Sequence, residues 1–327
     1  WNNQPMSKTD LSQYTVLDYQ KYVNNTTSGS TITAAQYKFN ITKAAKNWYE
    51  KGTNNGIMLA SANESVTKKS RFCSSEYSTN SAYFPSVYVA YVNNTGVEDY
   101  WTYKTVDLGR SGSVLVSDYN GSLTYVHNDV TTSGNRMPAS VSHVYSNDRT
   151  YFGGSYGNMK IGVGFRLDIM EQVETIASST ALYTADYRMK YIDGDGTVHY
   201  FKKTSTTNKF EHEFNEKLTI QKQSNNTYVM SDDKGNQKKF STGGYLLEII
   251  DSNSNKVTIT YSNNRITKVT DGAGKVITFT YTDNYLTGIT DPAGRTTTFN
   301  FAFDSSGNNT GYLRSISYPD GKSTTFY

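Results

Sequence analysis

One short motif in the chain could support nucleophilic catalysis. Residues 153–157 read Gly-Gly-Ser-Tyr-Gly, which matches the G-x-S-x-G pattern of a serine nucleophile on a sharp strand-to-helix turn. The next helical pattern starts only at about Arg166, after Gly162 and Gly164, and no histidine or aspartate is spaced to orient Ser155. We therefore interpret this stretch as a glycine-rich loop and predict no catalytic serine.

The histidines and the cysteine do not have the spacing of a metal site. His127, His143, His199 and His212 include no pair at the i, i+4 spacing of a helical zinc site, and Cys73 is the only cysteine. His127 and His143 each lie in alternating, strand-like sequence, which predicts half-exposed strand residues. The sequence thus predicts neither a metal nor another cofactor.

A possible calcium loop starts at Asp193. The run Asp193-Gly194-Asp195-Gly196 resembles the first ligands of such a loop, but position 12 is Thr204 instead of the required glutamate. A type I′ hairpin turn accounts for the Asp-Gly pairs without an ion, so we predict a turn. Calcium held by irregular carboxylate loops remains the alternative.

The remaining carboxylates show no pairing typical of glycoside hydrolysis, which places two carboxyl groups about 5–10 Å apart. Two glutamates end a predicted helix, three lie in a polar stretch, and we expect all five to be solvated: Glu171, Glu174, Glu211, Glu213 and Glu216. Asp291-Pro292 is in register with the repeats described below, which favours an ordinary turn. We therefore predict that the chain is not an enzyme.

Composition excludes other classes of protein. The 32 basic and 29 acidic residues leave a net charge of only +3, which argues against a dedicated nucleic-acid binder. No apolar run approaches the roughly 18 residues of a membrane span. Aromatic residues make up 14% of the chain, so we expect a folded core. The chain starts at Trp1 without a signal peptide, and we expect it to be a piece of a longer protein.

The elements that must position these residues are mostly strands. Threonine, tyrosine, valine and isoleucine are abundant, and runs such as residues 275–281 alternate between apolar and polar residues. Clusters of Gly, Asn and Asp separate these runs, as expected of tight turns. Helical spacing is found only over residues 40–49 and 166–173. The sequence predicts an all-β protein with one or two short helices.

An internal repeat of 20 residues occupies the last third of the chain. Aspartates recur at a fixed interval, aromatic residues follow ten residues later, and glycines follow two of the aspartates by three residues: Asp251, Asp271, Asp291; Tyr261, Tyr281, Phe301; Gly274, Gly294. Apolar pairs precede each aspartate, and the pattern resumes at Leu313 after a seven-residue insertion. Each unit predicts a strand–turn–strand hairpin, and hairpins at a fixed period are expected to stack into one sheet. Residues 191–201 and 228–240 look like degenerate units.

These repeats resemble a known family. The blocks "GYLLEIIDSNSNKVTITY", "RITKVTDGAGKVITFTY", "YLTGITDPAGRTTTFNF" and "GYLRSISYPDGKSTTFY" resemble the YD repeats of Rhs proteins. Residues 95–112, 118–147 and 191–201 are similar to the region before the repeats in Gram-positive, wall-associated members, so the resemblance covers roughly 95–327. Residues 1–5 and 39–65 look like the second half of a DNRLRE domain, a secreted β-sandwich, although Asn40 stands where that family more often has Asp.

The resemblance implies both architecture and function. Rhs repeats build a hollow, spiralling β-shell, which in polymorphic toxins encloses a variable C-terminal toxic domain. We expect a partial β-sandwich at 1–92, a pre-repeat region that starts and caps the shell at 93–240, and YD repeats at 241–327. The chain would be a non-catalytic, extracellular part of such a protein, with both ends cut from a longer polypeptide. Its partners would be the rest of its own polypeptide. The alternative is a module that binds carbohydrate or cell wall, with the repeats as a stalk.

Overall fold

The computed structural model describes residues 39–52, 54, 56–57, 59, 76, 84–87, 96–98, 101–147, 159–184, 186–214 and 217–327. The chain divides into two compact units, Trp1–Val89 and Ala90–Tyr327. In the first unit, helix α1 spans Thr42–Lys51, as predicted. Asn40 accepts a hydrogen bond from the Thr42 amide at 3.0 Å, and Gly52 ends the helix in the left-handed region at φ 62°. The β-sandwich predicted for residues 1–92 falls almost wholly outside the described residues.

The second unit begins with a five-stranded antiparallel sheet whose strands follow one another in chain order. These are β1 (Tyr103–Asp107), β2 (Ser113–Ser117), β3 (Leu123–Thr131), β4 (Ser140–Ser146) and β5 (Phe165–Leu167). Strands β3 and β4 bury several polar side chains as well as apolar ones. We call these five strands the capping sheet.

Fifteen further strands form one continuous antiparallel sheet, again in chain order. They are β6 (Gln172–Thr175), β7 (Tyr187–Ile192), β8 (Val198–Lys203), β9 (Lys209–His212), β10 (Thr219–Lys222), β11 (Tyr228–Ser231), β12 (Gln237–Phe240), β13 (Leu246–Ile250), β14 (Lys256–Ser262), β15 (Arg265–Thr270), β16 (Val276–Thr282), β17 (Tyr285–Thr290), β18 (Thr296–Phe303), β19 (Asn309–Ser317) and β20 (Ser323–Thr325). We call this the repeat sheet. The all-β prediction is confirmed, and the hairpins expected over 191–201 and 228–240 are present.

The second predicted helix is wrong. Residues 166–173 contain the end of β5, a turn and the start of β6. The backbone of Arg166 pairs with Val144 in the capping sheet, and Val173 pairs with Tyr191 in the repeat sheet. This stretch connects the two sheets and is buried along most of its length. Its apolar spacing therefore reflects burial against both sheets and not one face of a helix. The one short helix in this region, α2, spans Ala181–Thr184.

The repeat sheet closes on itself at its start. Leu246 donates its amide to the Glu171 carbonyl at 3.2 Å, and Val173 donates to the Gly244 carbonyl at 2.9 Å. A Cβ at Gly244 would lie 2.0 Å from the Val173 oxygen, so only glycine permits this approach. Since these residues belong to β6 and to the approach to β13, the first eight strands curl into one closed turn.

One large hydrophobic cluster runs from the capping sheet through the repeats, and a smaller one lies around β7 and β8. The apolar repeat positions fill the large cluster: Leu246, Ile266, Val269, Leu286 and Ile289 have no exposed surface, while Ile249 is half-buried. Among the residues described, no helix is long and apolar enough to cross a membrane.

Candidate functional site: the hairpin turns of the repeat sheet

The repeat aspartates build the turns at one end of the hairpins. Asp271 Oδ1 accepts the amides of Ala273 at 2.9 Å and Lys275 at 2.8 Å, and the corresponding amides bond to Asp251 and Asp291 at 2.8–2.9 Å. Gly274 and Gly294 adopt φ of 84° and 82°, the left-handed position that ends this three-residue loop. The first unit places Ser254 there at φ 66°. Hydrogen bonds from Asn255 and Asn253 lower the pKa of Asp251.

The same turn recurs in the degenerate unit at 228–240 and in the insertion before Leu313. Asp232 and Asp304 accept the amides two and four residues ahead, at 2.8–2.9 Å. The D-x-x-G spacing at 232–235 and 304–307 is the signal that identifies both. The type I′ turn predicted for residues 193–196 is wrong, because only Gly196 has a positive φ, at 93°.

The repeat aromatic residues connect one unit to the next. Tyr281 donates its hydroxyl to the Ile266 carbonyl at 2.8 Å, and Tyr261 donates to the Leu246 carbonyl at the same distance. The strand register shifts at each of these positions, which marks a β-bulge that leaves the local backbone groups outside the ladder. Phe301 has no hydroxyl to donate, and its ring instead packs 4.9 Å from that of Tyr285.

One segment bonds to the turns at the other end of the hairpins. At three of these bulges, the carbonyl two residues before the bulge accepts an amide from residues 159–173: Gly244 from Val173, Asn284 from Lys160 and Gly311 from Val163, at 2.8–2.9 Å. The amide of the bulge residue also donates to this segment, at 3.0–3.2 Å. Leu246 donates to Glu171 O, Ile266 to Met159 Sδ and Leu286 to Lys160 O. The 159–173 segment therefore satisfies backbone groups that the bulges remove from the ladder.

The capping sheet contacts the row of aspartate turns. Gly272 donates to the Met137 carbonyl at 3.2 Å, and the Lys275 ammonium donates to the Ser133 carbonyl. A Cβ on Gly272 would lie 2.7 Å from the Arg136 oxygen. One repeat further, the Thr297 hydroxyl lies 3.5 Å from the Asp129 carbonyl. Successive turns thus meet successive parts of β3 and the loop after it.

A buried histidine–aspartate network lies at this contact. Asp129 accepts from His127 Nδ1 at 2.8 Å and from His143 Nδ1 at 2.5 Å, and all three side chains are buried. Burial alone would raise the pKa of Asp129, but the two histidines outweigh it and lower the pKa. His127 Nε2 lies 2.8 Å from the Tyr318 hydroxyl, which lies 2.6 Å from Thr324 Oγ1. The network thereby joins β3 and β4 to the last hairpin.

The prediction that His127 and His143 are half-exposed is wrong. The two residues face each other across β3 and β4, and both are covered by the repeat sheet, where His143 lies 4.4 Å from the ring of Phe299. The spacing of His127 and Asp129, two residues apart on a strand, was a usable signal, since it places both on one face.

A second polar cluster surrounds the turn between β7 and β8. Asp193 accepts from His199 Nε2 at 3.0 Å, and His212 Nε2 lies 3.4 Å from His199 Nδ1. Burial would raise the pKa of Asp193, but its contact with His199 outweighs this and lowers the pKa. Burial and the charge of Asp193 raise the pKa of Asp195 to about 7. Burial and the charge of His199 lower the pKa of His212 to about 4.

The glutamates and the G-x-S-x-G stretch were the other candidates for chemistry in the sequence. Glu171, expected to be solvated, is buried and bonds to Lys238 Nζ at 2.6 Å and to the Tyr191 hydroxyl at 2.5 Å. Glu213 accepts the Tyr187 hydroxyl at 2.7 Å. The G-x-S-x-G stretch at 153–157 lies outside the described residues. Within the part of the chain that is described, no group of three His, Cys, Asp or Glu side chains could hold a metal ion.

Part of the chain matches a known protein family. Residues 261–296 match the family model of the RHS repeat. They contain β15, β16 and β17, two aspartate turns and the Tyr281 contact. No curated protein matches the chain. The chain therefore carries RHS repeat sequence in the part of the repeat sheet where the 20-residue period is most regular.

Proposed function

We propose that this chain is a non-catalytic structural part of a secreted or cell-surface protein with RHS repeats. It would form the beginning of a β-shell that encloses or presents a C-terminal domain, a toxin in the polymorphic toxin systems. The main support is the closed start of the repeat sheet, where β6 meets Gly244–Leu246 and covers its own edge. A sheet that is sealed at its start extends at the other side, so further hairpins of the same period would add beside β20.

The use of the polar side chains supports a structural role. In each repeat aspartate, one carboxylate oxygen accepts hydrogen bonds from backbone amides. The repeat tyrosines donate to backbone carbonyls, and Asp129 bonds to two histidines between the sheets. The aspartates stabilise turns within hairpins, the tyrosines stabilise contacts between neighbouring repeats, and Asp129 stabilises the contact between the sheets. On this proposal, the eight repeat residues identified from the sequence set the shape and spacing of the shell, and the partner is the rest of the same polypeptide.

The proposal is tested on the natural full-length protein as it is secreted. Intact mass would be measured under denaturing conditions, and any C-terminal fragment would be sequenced after native purification. A released fragment that stays associated with the repeat part under native conditions is the expected result. A single uncleaved chain that ends in more repeats or in a wall anchor would contradict enclosure of a released toxin.

A second candidate is binding to wall glycan, and one observation favours it. Trp101 and Tyr119 stack at 5.2 Å between ring centroids, and 71% of the surface of Tyr119 is exposed. Exposed aromatic faces are suited to packing against the apolar faces of sugar rings. Sedimentation with purified cell walls tests this candidate. Loss of binding in a Tyr119→Ala variant, with binding retained in Tyr312→Ala, would favour it over the shell alone.

A further inference from the structure

We propose that the core-facing side of the β1–β2 hairpin is a docking surface for the next hairpin of the repeat sheet, the one that would continue from β20 in the same polypeptide. This inference rests on the proposed function, because it requires a repeat sheet that continues. It adds the surface that receives the continuation, and it gives the capping sheet the role of a template on which the shell extends.

One face of the capping sheet carries a continuous row of apolar side chains. Residues that are paired across neighbouring strands lie on the same face of a sheet. The row crosses all five strands and consists of Val106, Val114, Tyr125, Tyr145 and Phe165. His127 lies two residues from Tyr125 on β3 and so shares this face, and its ring stacks on that of Tyr318. This is therefore the face that the repeat sheet covers.

The repeat sheet covers only part of this row. The ring of Phe326, just after β20, lies 5.7 Å from the ring of Tyr125, which is 6% exposed. Val106, at the β1 end of the row, is 52% exposed. Val114 and its neighbour on the same face, Val116, are half-buried. We call these three valines the β1–β2 seat, an apolar surface that extends beyond the last hairpin and is of the kind that marks a docking site.

Successive repeats contact the capping sheet progressively nearer to the start of β3. The turn that begins at Asp271 contacts the loop that follows β3. One repeat later, Thr297 Oγ1 lies 3.5 Å from the Asp129 carbonyl. In the last turn, the Tyr318 hydroxyl lies 2.8 Å from Nε2 of His127, which is two residues nearer to the start of the strand. A further hairpin that continued this progression would lie over the start of β3 and over the residues paired with it, which form the β1–β2 seat.

The last hairpin already contacts the loop that joins β1 to β2. Thr324 Oγ1 donates to Ser111 Oγ at 3.0 Å. Arg110, in the same loop, forms an ion pair with Asp320. Because this loop adjoins the β1–β2 seat, the established contact between the two sheets leads directly onto the uncovered surface.

The occupant that fits the seat is a hairpin of the same repeat, in register with β20. Strand β20 is the last of the described strands in the repeat sheet, and an open strand edge accepts a further strand through main-chain hydrogen bonds. The core-facing positions of the repeat are apolar, as the complete burial of Leu286 and Ile289 shows, so they would cover the three valines. Each repeat tyrosine bonds to a carbonyl fifteen residues back, and Leu313 lies at this distance from a residue added after Tyr327.

The chain's own sequence supplies such a hairpin for a test. Tyr327 lies six residues after the glycine of its turn, which is the repeat position of Thr280. A second copy of residues 281–300 placed after Tyr327 therefore continues the repeat in phase. This copy contains the repeat tyrosine, an aspartate turn and the strands on both sides of it. The complete chain is then compared with this extended chain.

Cysteine labelling measures whether the seat is covered. Cys73→Ser removes the natural thiol from both proteins, and Val106→Cys then places a single thiol in the seat. We expect this thiol to react with a maleimide at least about tenfold more slowly in the extended chain, because reaction at a covered site requires local opening. Thr105→Cys is the matched control. Thr105 is exposed on the other face of the same strand, so its thiol should react equally fast in the two proteins.

Thermal unfolding gives a second readout that needs no thiol. The added hairpin should raise Tm, because it removes apolar surface of the seat from water. Val106→Asp places a charge at a site that is exposed in the unextended chain, so it should change the Tm of that chain by no more than about 2 °C. In the extended chain the same substitution should reduce the rise in Tm that the hairpin produces.

Equal labelling of Val106→Cys in the two proteins would overturn the proposal, whether the added hairpin stays unfolded or folds away from the capping sheet. Labelling of the unextended chain that slows as protein concentration rises would also overturn it, because a second copy would then cover the seat. The mass measurement on the secreted protein tests the proposed function separately. A covered seat without a released fragment would support continuation of the repeat sheet alone, and a released fragment with an uncovered seat would overturn only the docking surface.

Discussion

The Tyr281 hydroxyl provides the sharpest test of how the repeats hold together. Tyr281 donates to the Ile266 carbonyl at 2.8 Å, fifteen residues back along the chain, and its hydroxyl also lies 3.2 Å from Met159 Sδ. Burial raises the pKa of Tyr281, so the phenol remains a protonated donor throughout the usual assay range. Tyr281→Phe removes only the hydroxyl, whereas Tyr281→Ala also removes the ring.

The two variants should differ in magnitude. Loss of the hydroxyl leaves the carbonyl of the fully buried Ile266 without this donor, which costs about 1–2 kcal/mol. Loss of the ring adds a cavity beside the hydrophobic cluster, so Tyr281→Ala should cost about 3–5 kcal/mol. For a unit the size of residues 90–327, each kcal/mol lowers Tm by about 2–4 °C.

Thermal and urea unfolding, followed by circular dichroism, would measure both losses. Tyr312→Phe is the matched control, because 55% of Tyr312 is exposed and its hydroxyl should contribute little. If Tyr281→Phe unfolds at the wild-type temperature while Tyr281→Ala does not, the hydroxyl bond is not part of the contact between repeats. If neither variant changes Tm, the packing role of the repeat aromatic residue is refuted.

Two further predictions concern the contact between the sheets and the inserted hairpin. Asp129→Asn should lower the free energy of unfolding by about 3–5 kcal/mol at neutral pH, because the two histidines bond to different carboxylate oxygens and the amide replaces one of these with an NH2 donor. A loss of less than about 1 kcal/mol in urea titration would contradict the proposed network. The pKa of Asp129 is lowered in the folded protein, so its carboxylate stabilises the fold at pH values above its ordinary pKa. This stabilisation is lost as the pH falls below that value. An ordinary repeat has Asn-Asn at positions 263–264, with φ of 51° and 58°. Replacing residues 303–311 with the same Asn-Asn pair restores the ordinary repeat length. The 65%-exposed Phe303 is then lost, and Tm should change by no more than about 4 °C; a larger fall would show that the insertion carries stability.

Local signals in the sequence were enough to identify the repeat hairpins. The aspartate turn depends on hydrogen bonds that span only two to four residues, so D-x-x-G spacing and strand alternation reveal it directly. Helix α1 was predicted for a similar reason, because the helical spacing over residues 40–49 is a local pattern. The false helix over 166–173 shows the limit of such reasoning. Its apolar spacing is produced by burial against two different sheets, which periodicity alone does not distinguish from a helix.

By itself, the sequence determined the class of fold, the 20-residue period and the aspartates and glycines of the regular repeat turns. Tertiary structure alone decided which polar groups are buried and what they contact. Asp129 meets its two histidines and then Tyr318, which lies 191 residues from His127, and Met159 meets the Ile266 amide 107 residues away. The physical reason is that such contacts depend on the register and closure of whole sheets, whereas turn geometry is set by residues that are neighbours along the chain.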